Sequence, residues 1–212
     1  MTPANLRRLG LYCGIASPVL WLGLIAVAGS LHPDFNHLTH YVSELAGRGS
    51  STEALMRGVA FGFTGFLYLG FAAALLSIFP RGWMFAVAAL LVGVEGIGRM
   101  GAGVFPCDPG CIRVSGDQDL HKLFATIGFF AGILAAILWG VLFRRLAPLR
   151  SLSWFSIGSG VVALAALLLM SWKENPARAP GLFELIATAG LSIWLFVFAA
   201  RVIRTGNSPT RN

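Results

Sequence analysis

EGIGRMGAGVFPCDPGCIRVSGDQDLH, residues 95–121, is the stretch on which the fold turns. It starts inside an apolar run of membrane-spanning length and leaves that run through Phe105-Pro106-Cys107-Asp108. It enters the next run at His121. Glu95 and Arg99 are the only two charges that no shift of a span's ends moves out of hydrocarbon. Ionisable groups at that depth are costly, so each marks a functional candidate.

Working outward, six apolar runs lie near residues 11–31, 58–79, 82–105, 123–143, 151–172 and 181–200. Each is long enough to cross a hydrocarbon core of roughly 30 Å as a helix. Of the 212 residues, 56% are hydrophobic and 12% charged. A soluble domain carries about 25% charged residues, so a soluble enzyme is excluded as a class. The fold expected is all-α: one polytopic bundle of six transmembrane helices over residues 1–204, with a polar, disordered tail at 205–212. Arg7 and Arg8 precede the first run as they would in a leader peptide. The run continues at spanning length, so it is expected to be a retained helix.

The net charge of +7 does not point to nucleic acid, because of where it sits. Arg7, Arg8, Arg81, Arg144, Arg145, Arg150, Arg201, Arg204 and Arg211 fall on one side of the six spans, with no acid among them. The other side holds Arg48, Arg57, Arg113, Lys122, Lys173 and Arg178, a count of 9 against 6. Excess arginine and lysine mark the cytoplasmic face, so both termini are expected there, in a cytoplasmic (inner) membrane. Every acid except Glu95, all four histidines and two of the three cysteines then lie at or near the extracytoplasmic side. Chemistry, if there is any, belongs on that face.

In the first outer segment, Asn36 and Gly47 bracket HLTHYVSELA, which has the apolar spacing of a short amphipathic helix at the interface. On it His37, His40, Tyr41 and Glu44 would share one face. Ser50 and Glu53 have the spacing of a capping box before the second span. Gly128, Gly132, Ala136 and Gly140 form a stripe that lets helices approach closely. Trp21, Trp83, Trp139, Trp154, Trp172 and Trp194 mostly fall toward span ends, where an interfacial belt belongs.

The third span runs outward and sets Glu95 about 15 Å below its outer end, one turn deeper than Arg99. The pair can be an internal ion pair, the floor of a polar cavity open to the outside, or both. Cys107 and Cys111 bracket an Asp108-Pro109-Gly110 turn, within disulfide reach. A bonded pair is expected on an oxidising face, with a metal-binding thiolate pair as the alternative. His37, His40, His121 and Asp108 are the candidates if a metal such as zinc is held, although their spacing is loose and no cofactor is expected. Glu184, in the first turn of the last span, is level with the outer half of the cavity. The residues expected to converge are Ser43, Glu44, Glu95, Arg99, Asp108, His121 and Glu184.

Tyr41-Val42-Ser43-Glu44-Leu45, Gly103-Val104-Phe105-Pro106-Cys107-Asp108, the later His121 and Gly181-Leu182-Phe183-Glu184 together resemble the prokaryotic membrane family catalogued as domain of unknown function 998 (DUF998). The resemblance runs over about residues 8–204 and implies six spans without implying an activity. It draws attention to Ser43, Glu44, Asp108 and His121. The chain is also distantly similar to DRAM/Sfk-like membrane proteins, whose members are linked to lipid organisation. Asp119-Leu120-His121-Lys122 departs from the His-Gly pair of the closer family, so a substrate analogy does not carry over. Two readings follow. One is a protein that binds a lipid headgroup or small amphiphile in an outward-facing polar cavity, for transport or membrane organisation. The other is a metal-assisted intramembrane hydrolase acting on a lipid, which needs converging ligands and a water or Ser43 beside the metal.

Overall fold

The computed structural model describes residues 2–172 and 179–205; the expectations for 173–178 and for the tail at 206–212 lie outside them. Helix follows wherever the apolar runs predict it, because in lipid only internal hydrogen bonds satisfy the backbone. The six helices are α1 (Pro3–Leu31), α2 (Glu53–Ile78), α3 (Trp83–Val104), α4 (Gly116–Phe143), α5 (Ala147–Ser171) and α6 (Pro180–Arg204). Several begin a turn or two before the apolar run. Thr2 Oγ1 accepts the Asn5 N–H at 3.4 Å and Pro3 opens α1, while Asp117 and Asp119 occupy the first turn of α4. Both are ordinary start signals for a helix.

Each helix packs on the next in sequence, and α6 closes the ring on α1. The glycine stripe on α4 is what brings α3 close. A Cβ on Gly98 would stand 2.5 Å from the Gly128 Cα, so only glycine fits where these two helices meet.

The ring encloses two cores. One, toward the arginine-rich end, is aromatic: Trp139 packs at a tilt against Phe79 at 4.6 Å and Phe198 at 4.9 Å, with Phe143 beside them. The other lies toward the end bearing the 32–52 and 105–115 segments, here the loop end. It is smaller and is built from Trp21, Ile25, Val42, Leu45, Met56 and Phe61.

The tryptophan belt is therefore only half realised. Trp83, Trp154 and Trp172 are exposed, but Trp21, Trp139 and Trp194 are buried. Their indole N–H groups donate to Thr188 Oγ1, Ala88 O and Ser156 Oγ. A helix-end tryptophan turns inward when a neighbouring helix offers an acceptor.

The short helix in the first loop is present, but as a 3-10 turn at Val42–Ala46 and not an α-helix from Asn36 to Gly47. Asn36 does cap the segment, but the Tyr41 N–H that an α-helix would give to His37 O goes to a side chain instead. Asn36 Oδ1 accepts the Leu38 N–H, His40 Nδ1 the Asn36 N–H, and Glu44 Oε1 the Tyr41 N–H. The apolar side of the turn, Val42, Leu45 and Ala46, plugs the end of the bundle and does not lie along the interface. The Ser50/Glu53 capping box does not form either. Glu53 Oε2 accepts the Gly49 N–H and Ser50 Oγ donates to Leu45 O.

Candidate functional site

Cys107 and Cys111 are disulfide-bonded, with Cα atoms 5.0 Å apart. The bridge fastens the 105–115 loop beneath the 3-10 turn. Cys107 Sγ lies 3.4 Å from Ser43 O, and Cys107 O accepts the Arg48 N–H. Asp108 organises the same loop. Its carboxylate accepts the Val114 and Ser115 N–H groups at 2.8 and 2.6 Å and the Ser115 hydroxyl at 2.9 Å. These donors, the Val114 N–H first, hold its carboxyl below the usual aspartate range.

Below this lid, Glu95 and Arg99 sit one turn apart on α3, Oε1 to Nη2 at 3.6 Å, and both are buried. The guanidinium lies over the rings of Trp21, 4.2 Å from its centroid, and Tyr68, 4.9 Å. Arg99 Nη2 also donates to the Tyr68 hydroxyl at 3.3 Å. Trp21 is held in place by its hydrogen bond to Thr188, 2.8 Å long. Two atoms of the pair, Glu95 Oε2 and Arg99 Nη1, are buried without a protein partner.

His121, in the first turns of α4, meets the last carbonyls of α3. Its Nδ1 is 3.0 Å from Ala102 O and 2.8 Å from Phe105 O. Carbonyls only accept, so Nδ1 carries the proton and Nε2 is left as an acceptor. Glu184, one turn into α6, accepts the Val42 N–H at 2.8 Å and so pins the 3-10 turn to that helix.

Ser43, Glu95, Arg99, His121 and Glu184 line one small chamber of about 40 Å³, together with Trp21, Phe61, Phe129 and Thr188. Ser43, His121, Ala125, Phe129 and Glu184 also line a larger cleft of about 460 Å³ on the side of α4 and α5. That cleft is polar at the loop end, with Tyr41, Gln118 and Lys122. It is apolar along Phe130, Leu164, Leu167, Leu168 and Met170. Phe130 and Leu168 are exposed to the bundle's surroundings, so the cleft opens sideways between helices. Burial, then the charges of Glu184 and Glu44, hold the Tyr41 phenol above its ordinary range, and it faces the cleft as a neutral hydroxyl.

Two of the seven expected residues stand elsewhere. Glu44 is occupied with the Tyr41 N–H and Asp108 with its own loop, and neither lines the chamber. Local backbone donors reach both carboxylates first. His37 and His40 pack around Phe35, with ring centroids 4.9 and 5.6 Å away, apart from the chamber that His121 lines. Among the described residues, no group of three or more His, Cys, Asp or Glu is placed to share a metal ion. Trp21, Phe61, Phe129 and Thr188 were not anticipated. Only Thr188 carried a signal, being a polar residue one turn after Glu184 on an apolar helix.

The fold and this geometry define a class: a multi-pass integral membrane protein whose six helices enclose a buried charged chamber beside a lateral cleft. Within that class, the family model described as protein of unknown function (DUF998) matches residues 15–201, and the chain belongs to that family. Comparisons with curated proteins and with solved structures found no match. The more distant likeness to DRAM/Sfk-like proteins gains no support from these comparisons.

Proposed function

We propose that this protein binds a lipid or small amphiphile, polar end first, in the cleft beside α4 and α5. What carries the reading is the shared wall. Ser43, His121, Ala125, Phe129 and Glu184 line both the apolar cleft and the charged chamber, so one molecule can span the two. Pockets that bury most of a ligand are apolar with a few placed polar groups, and this pair of cavities has that composition. Binding of this kind serves transport or membrane organisation.

The arginine asymmetry of 9 against 6 supports an inner-membrane orientation with the loop end extracytoplasmic. In that orientation the cleft meets the outer leaflet.

A phospholipid with a photoactivatable diazirine in its acyl chain tests the site. The full chain, in nanodiscs containing this lipid, is irradiated and its labelled peptides are mapped. Labelling concentrated on the Leu164–Leu168 and Ala125–Phe130 peptides is expected. Labelling spread evenly over all lipid-facing helices would remove the proposal. An Arg48→Cys variant reacting with an impermeant maleimide only in broken cells would reverse the orientation.

A further inference from the structure

The charges in the chamber do not balance, and the imbalance identifies the ligand's polar end. Glu95 and Glu184 supply two carboxyl groups, and Arg99 supplies the one guanidinium. Arg99 is already committed. It pairs with Glu95 at 3.6 Å, donates to the Tyr68 hydroxyl at 3.3 Å and lies over the rings of Trp21 and Tyr68. Glu184 is different. It accepts the backbone N–H of Val42, but among the described residues no Lys, Arg or His nitrogen lies within ion-pair distance of it. Among the described residues, the charged side chain acting on it is Glu44, of the same sign.

An independent observation points the same way. Glu95 Oε2, on a residue only 3% exposed, lacks any hydrogen-bond donor. Buried acceptors of this kind are nearly always satisfied in native structures, so a donor belongs there. Anionic headgroups are poor candidates, because they would meet two carboxyl groups and find the guanidinium already paired. An ammonium supplies what is missing: a positive charge for Glu184 and hydrogen-bond donors for both acids. Phe61 and Phe129 in the chamber wall are compatible with a cation, whose attraction to aromatic faces grows once it is desolvated.

Size narrows the choice. A water needs about 10–15 Å³ of such space, so the 40 Å³ chamber holds an ammonium and a water but no bulky head. That water serves Arg99 Nη1, the remaining unpartnered donor.

Building on the cleft reading above, we infer that the ligand is an amine-headed amphiphile, its ammonium held in the chamber between Glu184 and Glu95 and its chain in the cleft. Two sources share this chemistry: the terminal amine of an aminophospholipid, and a free alkylammonium.

The test uses the full chain in dodecyl maltoside. Decylammonium and tail-matched decyl sulfonate are titrated, with affinity read by native mass spectrometry and thermal shift. Decylammonium is expected to bind at least tenfold more tightly, and Glu184→Gln, which keeps an acceptor for the Val42 N–H, should erase the difference. Ala125→Phe fills the junction of cleft and chamber without touching a charge, and it should abolish binding of both. A parallel arm compares retention of phosphatidylethanolamine with phosphatidylglycerol of identical chains. Preferential retention assigns the site to a lipid, and decylammonium binding without it assigns the site to a free amphiphile. Equal affinities, or a preference for the sulfonate, that Ala125→Phe still removes would overturn the ammonium and leave the cleft reading intact. Binding of every probe unaffected by Ala125→Phe, or no binding at all, would overturn both. The wild-type ratio of affinities needs no variant to fold.

Discussion

The two halves of the bundle solve the same problem with opposite chemistry. Toward the arginine end the helices meet through Phe79, Trp139, Phe143 and Phe198, with the Trp139 and Trp194 indole N–H groups satisfied by Ala88 O and Ser156 Oγ. Among the described residues, the unpartnered buried atom on this stretch of α6 is one uncharged hydroxyl, Ser192 Oγ, next in sequence to Leu191 of that core. Toward the loop end the same ring of helices surrounds Glu95, Arg99, His121 and Glu184, and within the chamber's ion pair Glu95 Oε2 and Arg99 Nη1 stay unpaired. Native interiors rarely tolerate this, and when they do the reason is usually function. The first half holds the barrel of helices together; the second half spends that stability on a charged cavity.

The largest effect that sharpens this contrast comes from Arg99→Ala. Removing one member of a buried ion pair strands the other and costs about 3–5 kcal/mol. Here it also empties the space over the rings of Trp21 and Tyr68. Folded protein recovered from detergent should fall sharply. The Glu95→Gln, Arg99→Met double variant, which removes both charges, should recover most of the loss. Equal damage in the double variant would mean that the charges are not held as a pair. In the other half, Phe198→Ala opens a cavity among five aromatic neighbours, Phe71, Phe79, Trp139, Phe143 and Trp194. It should cost about 3 kcal/mol, measured as a drop in the denaturation midpoint. It should leave amphiphile binding unchanged. Loss of binding in step with stability would show that the halves are not separable.

Much of this division could be read before any coordinates. The spans follow from uninterrupted apolar runs, and the depth of Glu95 and Arg99 follows from counting helical rise. Ser43, His121 and Glu184 were recoverable because each is polar and adjoins a span end on the same side. Ring closure was not recoverable, because no local pattern says which non-sequential helices touch. Trp21 illustrates the consequence: its sequence context suits an interfacial belt, and only the arrival of Thr188 from α6 turns it inward. Glu44 and Asp108 were misassigned for a related reason. Their polarity was visible, but the backbone donors of Tyr41, Val114 and Ser115 that claim them exist only once the loops have folded. The helical spacing of residues 37–46 misled similarly, since Glu44 takes the Tyr41 N–H that a continuous helix would give to His37 O.

A smaller effect is expected from Thr188→Val, which keeps the shape of the side chain and deletes the acceptor for the Trp21 indole. An unpaired buried N–H costs about 1–2 kcal/mol. Because Trp21 backs Arg99, binding in the chamber should weaken along with stability. Phe198→Ala serves as the contrast, losing stability alone. If Thr188→Val lowers the midpoint yet binds as wild type, Trp21 is packing material and not part of the site.

The smallest effect concerns the lid and appears only in acid. Asp108 is held below the ordinary carboxyl range by the Val114 N–H, then by the Ser115 N–H and hydroxyl, with Arg48 at 3.9 Å adding to this. The folded lid therefore binds this proton less readily than the unfolded loop does. The stability it contributes is fully present above the unfolded aspartate value of about 3.9, and it is lost as pH falls through the lower folded value. Hydrogen exchange at Val114 and Ser115, corrected for intrinsic rates, should stay constant from neutrality down to about pH 4 and then accelerate. Amides of the aromatic core around Phe198, which has no carboxyl group, should show no such change. Asp108→Asn should bring the faster exchange to neutral pH, because an amide cannot accept from three donors as a carboxylate does. Acceleration that starts well above pH 5, or a wild-type profile that the Asn variant simply reproduces, would mean that Asp108 does not hold the lid.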